Sequence, residues 1–555
     1  MRRASVRFRP SDPVDFVVVG SGAAGGIVAK ELATAGLSVV VLEQGPRLDA
    51  AQFEHDEFKY FFRAGIVNDP QRQPQTFAPT PSQEAKQGAG QLLYARLVGG
   101  GSVHFTANYW RFHEIDFVEA SRLGPISGTG FTDWPITYAE LEPYYAKAEW
   151  ELGVSGTPGP FDAPRSRPYP LPPLPVKSSG VLFERGCAKL GLHSQPAPLA
   201  ILSQPYRGRN ACHHCGFCLA FGCEFGAKSS TLATVIPMAE ATGHCEIRPN
   251  SYVRQVEIDE RTGRAIGVIY FDEHSVEQRQ RARAVVLCAN GAETPRLLLM
   301  SQSSSFPHGL ANSSGLVGKH LMFNGYCEAA GTFDGLLNEW KSVAATRMIH
   351  DFYNTDPARG FYGGGGIDAR FTGYPLGFAL GGVIGGLPPD APTWGAEYKR
   401  LLRETYSHTM VAASHTTSLP LESNAVSLDP ALKDAWGLPA IRFTYQDHAD
   451  DLATMRFLQG KALEILEAAG ARRTWATPVK PSTFAVHLLG TCRMGNDPHT
   501  SVVDRYHRTH DVRNLFLCDG SSFVTSGRGQ PTCTIQALAY RAGEQIAGFA
   551  RRGEI

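Results

Sequence analysis

Hydrophobic positions concentrate first near the start of the chain. Val14 and residues 16–19 make an apolar run that breaks at Gly20-Ser21-Gly22-Ala23-Ala24-Gly25. Apolar residues then recur at helical spacing to about Thr34, Ala35-Gly36 interrupts them, and a second apolar run over 37–42 ends at Glu43. Short apolar runs bounded by glycine predict buried strands, and the stretch between them predicts a helix. The unit reads strand, glycine turn, helix, strand. In that setting Gly20 permits the tight turn, Gly22 lets backbone approach a pyrophosphate, and Gly25 lets helix and strand pack closely. Glu43, 18 residues past Gly25, is placed to accept hydrogen bonds from a ribose diol and to repel a 2′-phosphate, which disfavours NADP.

The pattern changes further along. A helix is predicted from about Tyr138 with acids in its first turn, followed by the proline-dense segment 157–177, an extended crossing or boundary. ARAVVLCANGAETPRLLLMS, residues 282–301, predicts a buried strand, a turn and a helix. Residues 301–477 mix short alternating strands with helices, including MRFLQGKALEILEAAGA, which suits a second lobe built on an antiparallel sheet. The last seventy residues or so return to glycine-rich, apolar sequence, with Pro531 suited to open a final helix. The fold class is α/β, α+β overall: a Rossmann-like dinucleotide domain and a substrate domain of antiparallel sheet and helices.

At 555 residues the chain exceeds the size of a single core. Lys plus Arg equals Asp plus Glu at 53 each, so nothing marks a nucleic-acid partner. No apolar run approaches the roughly 20 residues that span a bilayer, and the basic start lacks the apolar core of a secretion signal. The cytoplasm is the default location. Seven of the 11 cysteines are scattered singly, several in apolar strings, which suits buried thiols in a reducing compartment.

Two further stretches carry chemistry. YARLVGGGSVHFTANYWRF holds three glycines at 99–101, then Ser102 and His104, a turn whose N–H groups can line a second face of a phosphate-bearing cofactor. Residues 486–546 hold His487, the Asp519-Gly520 pair after an apolar strand, and Gly529-Gln530-Pro531-Thr532. A histidine is the natural base for a hydroxyl proton near neutral pH.

The GSGAAG turn with Glu43, the GGGS turn, VVLCANGAETPRLLLMS, HLLGTCRMG and DGSSFVTSGRGQPTCTIQALAYRA together resemble the glucose-methanol-choline (GMC) oxidoreductases, in the family's order from residue 14 to the end. GGGSVHFTANYWRF followed by DWPITYAELEPYY is similar to bacterial FAD-dependent sugar dehydrogenase and gluconate dehydrogenase flavoprotein subunits. The resemblance implies FAD, with its ADP half on the first unit and its isoalloxazine under the C-terminal segment. It places Gly20, Ser21, Gly22, Ala24, Gly25, Glu43, Gln44 and Arg96 around the cofactor, then Gly100, Gly101, Ser102, His104, Thr106 and Asn108. Val253, Ala289, Asn290, Asp519, Gly520, Gln530, Pro531 and Thr532 complete that set. The family's catalytic histidine falls on His487, which would deprotonate the substrate hydroxyl as hydride moves to flavin N5. Its second active-site residue, usually Asn or His, falls on Gln530, a departure with a longer arm. His104 resembles the histidine through which some relatives attach their flavin covalently; the alternative is a histidine that packs beside the ring.

The resemblance also sets the domain order: FAD-binding at 14–135, a crossing and cysteine-rich segment at 136–225, FAD-binding again at 226–300, substrate-binding at 301–480, and a catalytic FAD-binding part at 481–555. CHHCGFCLAFGC brings Cys212, Cys215, Cys218 and Cys223 together. This dense spacing is closer to iron–sulfur ligation than to the paired motif of zinc ribbons. An iron–sulfur cluster, another structural metal, free thiols and a local disulfide all stay open. A cluster beside the flavin would split an electron pair for a one-electron acceptor such as a cytochrome or quinone, with a small partner subunit; co-export with such a partner leaves the periplasm open. The leading reading is an FAD-dependent dehydrogenase that oxidises a sugar or glycoside hydroxyl to a carbonyl. The alternatives are a hydrophobic-alcohol or sterol oxidase, and an electron-transfer subunit without its own pocket. FYGGGGIDARF (361–371) and HTTSLPLESN (415–424) are candidate pocket elements.

Overall fold

The computed structural model describes residues 7–555 apart from 64, 338, 371–372 and 381–385. Strand β1 (Val14–Val19), helix α1 (Gly25–Thr34) and strand β2 (Val39–Leu42) realise the predicted opening unit. Both strands are almost wholly buried, as parallel strands covered on two faces must be. β1 lies parallel between β2 and the strand Glu277–Leu287. Cys245–Arg248 extends the sheet beyond β2, and Leu515–Leu517 extends it beyond Glu277–Leu287, both parallel. The amino-terminal half of that long strand turns away to pair antiparallel with Arg264–Phe271. The final helix, Thr532–Arg551, packs on α1 and on the helix Tyr138–Leu152. Thr137 caps the latter by accepting from the Glu140 N–H, while the Glu140 carboxylate accepts from the Thr137 N–H.

The second sheet is antiparallel throughout and runs Arg473–Ala476, Tyr326–Thr332, Thr409–Thr416, Gly365–Arg370, Ala345–Ile349, Gln195–Pro196. Its two faces differ in kind because side chains alternate along each strand. Cys327, Ala329, Ile367, Ala369, Met410 and Ala412 pack against Met455, Leu458, Ala462 and Ile465 of the helix Ala449–Ala469. The opposite face carries Tyr326, Glu328, Asp368, Arg370 and His415. Tyr326 stands opposite His415, and Asp368 and Glu328 both stand opposite Ala413.

The expected segments interleave in space. Gln75–Ala78, from the first 14–135 segment, pairs with Pro439–Thr444 in a separate four-stranded sheet. Gln195–Pro196 crosses over to the edge of the antiparallel sheet. Among the described residues no helix is long and apolar enough to cross a membrane.

Two glycine turns meet where the lobes join. Gly100 has φ +53°, and a Cβ added there would lie 2.5 Å from Gly22 Cα. Gly20 has φ +92°, and a Cβ on it would lie 2.5 Å from the Cys288 carbonyl oxygen. Gly101, by contrast, has open space where a Cβ would sit. Gly100→Ala therefore adds left-handed strain and a backbone clash, a loss of roughly 1–3 kcal/mol. Thermal melts of the apo-protein should show that loss for Gly100→Ala and none for Gly101→Ala; equal melts would contradict the close approach.

Candidate active site

A cavity of about 600 Å³ runs from the β1–α1 turn to the carboxy-terminal segment. At one end it is walled by Gly20, Gly22, Ala24, Glu43 and Gln44, with Val253 beside them. Its middle is lined by Gly100, Gly101, Ser102, His104 and Thr106, opposite Ala289, Asn290, Asp519 and Gly520. The far end holds His487, Gln530, Pro531 and Thr532. Four of the expected cofactor residues lie outside this wall. Ser21 and Gly25 support the turn, Asn108 reaches Asp368, and Arg96 contributes backbone that passes against Gly45.

Each part is held by specific bonds. Glu43 accepts from the Ser21 N–H (3.1 Å), the Ser21 hydroxyl (2.8 Å) and the Gly45 N–H (3.0 Å). A carboxylate offers about four acceptor positions, so Glu43 braces its own turn and keeps capacity for a hydroxyl. Burial raises its pKa and these bonds oppose the rise. Asn290, at φ +86°, caps the helix Asn290–Met300 by accepting from the N–H groups of Ala292 and Glu293. Asp519 accepts from the Ser521 and Asn290 N–H groups and from the Thr294 hydroxyl, fastening that helix start to the carboxy-terminal turn. Arg528 is fully buried between Asp116 (2.5 Å) and Glu119, which fixes the loop that carries Gln530.

The His487 end collects groups from both lobes. His487 Nδ1 lies 3.0 Å from Asn324 Oδ1, and its ring sits 4.8 Å from that of His415. The Arg370 guanidinium donates from Nε to Asp368 (2.9 Å) and pairs with the same carboxylate through Nη2. Its Nη1 lies 3.4 Å from His415 Nε2. Tyr326 donates to Glu328 (2.7 Å), and Asn108 donates to Asp368 (3.2 Å). Asn324, Tyr326, Arg370 and His415 all line the cavity. None of these four was singled out as a site residue from the sequence. Arg370 and His415 lie within the two segments flagged as pocket elements, and the signal that selects them is the period-two alternation placing them on the face away from the apolar core.

Burial, and then the charge of Arg370, pull His487 down to about 3. His415 is held well below the ordinary histidine range, first by burial and then by His487 and Arg370. His104, buried near the Lys228 ammonium, falls to about 4. The His104 Nε2 and Gln530 Nε2 atoms are buried without a hydrogen-bond partner. Buried polar atoms of this kind require a partner, and the open face of Gly22 offers backbone to a ligand. The cavity therefore fits a phosphate-bearing dinucleotide with a polar ring system at the His487 end.

The cysteine segment is different. Cys212, Cys215, Cys218 and Cys223 are all free thiols, and among the described residues no three or more His, Cys, Asp or Glu side chains are grouped to hold a metal ion. The segment is shaped by Lys228, whose buried ammonium donates to the carbonyls of Phe105, Cys218 and Phe221. Those bonds tie the loop to the His104 turn.

Comparison with known proteins decides the family. Residues 14–323 match the amino-terminal GMC oxidoreductase family model, and residues 420–539 match the carboxy-terminal one. The chain belongs to the GMC oxidoreductase family. It is 35% identical over 543 residues to 2-methyl-1,2-propanediol dehydrogenase of Mycolicibacterium austroafricanum, covering 97% of this chain and 96% of that one. It is 30% identical over 559 residues to the fructose dehydrogenase large subunit of Gluconobacter japonicus, covering 97% and 98%. Its fold matches that of a formate oxidase from Aspergillus oryzae with a TM-score of 0.66 at 14% identity, over 99% of this chain and 100% of that one. This GMC oxidoreductase is an FAD-dependent enzyme that oxidises an alcohol or sugar hydroxyl.

A histidine base acts unprotonated, and its rate is lost only as pH falls through its own folded-state value. Where His487, at about 3, is that base, kcat/KM for an alcohol should be flat on the acid side from about pH 8 to about pH 5. An acid limb centred near the unperturbed value of roughly 6.5 would contradict the burial of this ring.

Proposed function

We propose that this GMC oxidoreductase is a dehydrogenase for a small polyol or sugar, with His487 as the base. The observation that carries the reading is the His487 imidazole lining the cavity, 4.8 Å from His415 on the polar side of the antiparallel sheet. A substrate hydroxyl lying between His487 and Gln530 gives its proton to the imidazole. The Gln530 amide N–H donates to the same oxygen and steadies the negative charge that develops there. FAD, when bound, would supply the acceptor for the hydride that leaves the carbon. Gly20, Gly22, Glu43, Gly100 and Gly101 would hold the dinucleotide, with its pyrophosphate at the start of α1.

The remaining wall sets the preference for a second oxygen. Arg370 uses Nε and Nη2 for Asp368 and one Nη1 hydrogen for His415, so the second Nη1 hydrogen is left for the cavity. That donor supports a substrate with a further hydroxyl close to the reacting one. The sequence relatives act in the same direction, being named for a diol and for fructose. They also favour an external acceptor over oxygen, since both are dehydrogenases by name; a quinone, a cytochrome or a partner subunit would serve.

Replacing His487 with Ala should slow flavin reduction by alcohol by roughly 10²–10⁴-fold in anaerobic stopped-flow measurements while leaving the FAD bound. Unaltered reduction would remove His487 from the chemistry. Turnover of the wild-type enzyme with a saturating diol should proceed with an artificial electron acceptor and give little hydrogen peroxide in air. Stoichiometric peroxide would favour the oxidase reading.

A further inference from the structure

Two histidines stand side by side at the cavity end, and the chemistry needs one base. The hydrogen bonds of their neighbours distinguish them. Asn324 Nδ2 lies 3.1 Å from the Thr416 carbonyl oxygen, 3.2 Å from that of Ser526 and 3.4 Å from that of Gly527. Carbonyl oxygens only accept, so the amide nitrogen must face them and Oδ1 must face His487. Amide oxygen also only accepts, so the hydrogen between Asn324 and His487 belongs to Nδ1. A neutral imidazole carries one such hydrogen. Nε2 therefore bears the free lone pair.

His415 carries its hydrogen on the same nitrogen, but its lone pair is already taken. Arg370 Nη1 can only donate, which makes His415 Nε2 the acceptor and occupies its lone pair. Its remaining nitrogen, Nδ1, then carries the hydrogen and cannot take another proton.

We propose that Asn324 is a positioning residue that fixes the tautomer of His487 with Nε2 free, and that Arg370 withholds His415 from the same role. The proposal rests on the reading of His487 as base. Asn324 is the one hydrogen-bond partner of His487 among the described residues. The charged and titratable groups around it are Arg370 with its partner Asp368, His415, and the Tyr326–Glu328 pair on the neighbouring strand. No carboxylate hydrogen-bonds His487 among these residues, so the selection is made by a neutral amide. That keeps the base unprotonated, where a carboxylate partner would favour imidazolium.

The test compares Asn324→Leu with Asn324→Asp. Leucine removes the acceptor, whereas aspartate keeps an oxygen for the Nδ1 hydrogen and loses the amide donors to the three carbonyls. At about pH 9, where the imidazole raised by the new carboxylate is still unprotonated, flavin reduction should fall at least about 100-fold in Asn324→Leu and stay within about tenfold of wild type in Asn324→Asp. Bound FAD and melting temperature are measured on both. Equal losses in the two variants, or none in Asn324→Leu, would overturn the proposal, because an anchor for the 416 and 526–527 backbone alone predicts no rescue by aspartate. A second readout needs no turnover: two-bond ¹⁵N–¹H spectra of histidine-labelled protein, assigned with His487→Gln. They should show hydrogen on Nδ1 of His487 in the wild type; hydrogen on Nε2 would overturn it. Full flavin reduction by His487→Ala would defeat the proposed function itself. An inactive His487→Ala beside identical Asn324 variants would defeat only the present inference.

Discussion

The structure depends on a contact between two pieces of bare backbone. The turn after β1 and the turn at residues 99–101 approach so closely that a side chain on Gly100 would run into the Gly22 backbone, 2.5 Å from its Cα. Hydrogen bonds seal the contact: the Gly99 N–H donates to the Ser21 hydroxyl, whose own hydrogen goes to Glu43. Ser102 donates to the Gly99 carbonyl and accepts from the Thr231 N–H. Because the wall there is backbone, its N–H groups rather than side chains define one side of the cavity. A phosphate-bearing group can come closer to such a surface than to any side-chain wall.

At the other end the constraint is the two-faced antiparallel sheet. Its apolar face is committed to the helix Ala449–Ala469, which leaves the opposite face to look toward the carboxy-terminal segment. Desolvated ionic groups on that face must be paired. Arg370 is matched by Asp368, and Asp368 also accepts from Asn108 at the end of the glycine-turn stretch. Removing one partner of such a buried pair costs about 3–5 kcal/mol, so the polar floor is rigid as well as charged. Its net effect on His487 is to keep the ring neutral without giving it a carboxylate.

Legibility in the sequence followed locality. The β1–α1–β2 unit, the helix from Tyr138, the strand and helix around residues 282–300 and the final helix after Pro531 were readable because each is set by its own apolar period and its own glycine or proline signals. His487 and Gln530 were placed by resemblance, and in the structure both line the same cavity. Asn324 could not be read, since its role arises from carbonyls nearly a hundred and two hundred residues away in sequence. Arg370 and His415 were visible only as members of polar strings; their shared face emerges from strand register. The cysteine segment was legible as a dense group of thiols, and in space Cys212, Cys215 and Cys223 all act electrostatically on Cys218. The loop is drawn inward by Lys228, which donates to the Cys218 and Phe221 carbonyls.

The central claim is that one cofactor bridges the glycine turns and the imidazole of His487. A crystal structure of the FAD-loaded enzyme tests it most directly. The pyrophosphate should lie against Gly22 and Gly100, with the flavin N5 facing a space shared by His487 Nε2 and Gln530 that is wide enough for one substrate carbon and oxygen, about 3–4 Å from each reacting group. An isoalloxazine lying away from the ring of His487, or a pyrophosphate bound elsewhere than the two glycine turns, would contradict the account.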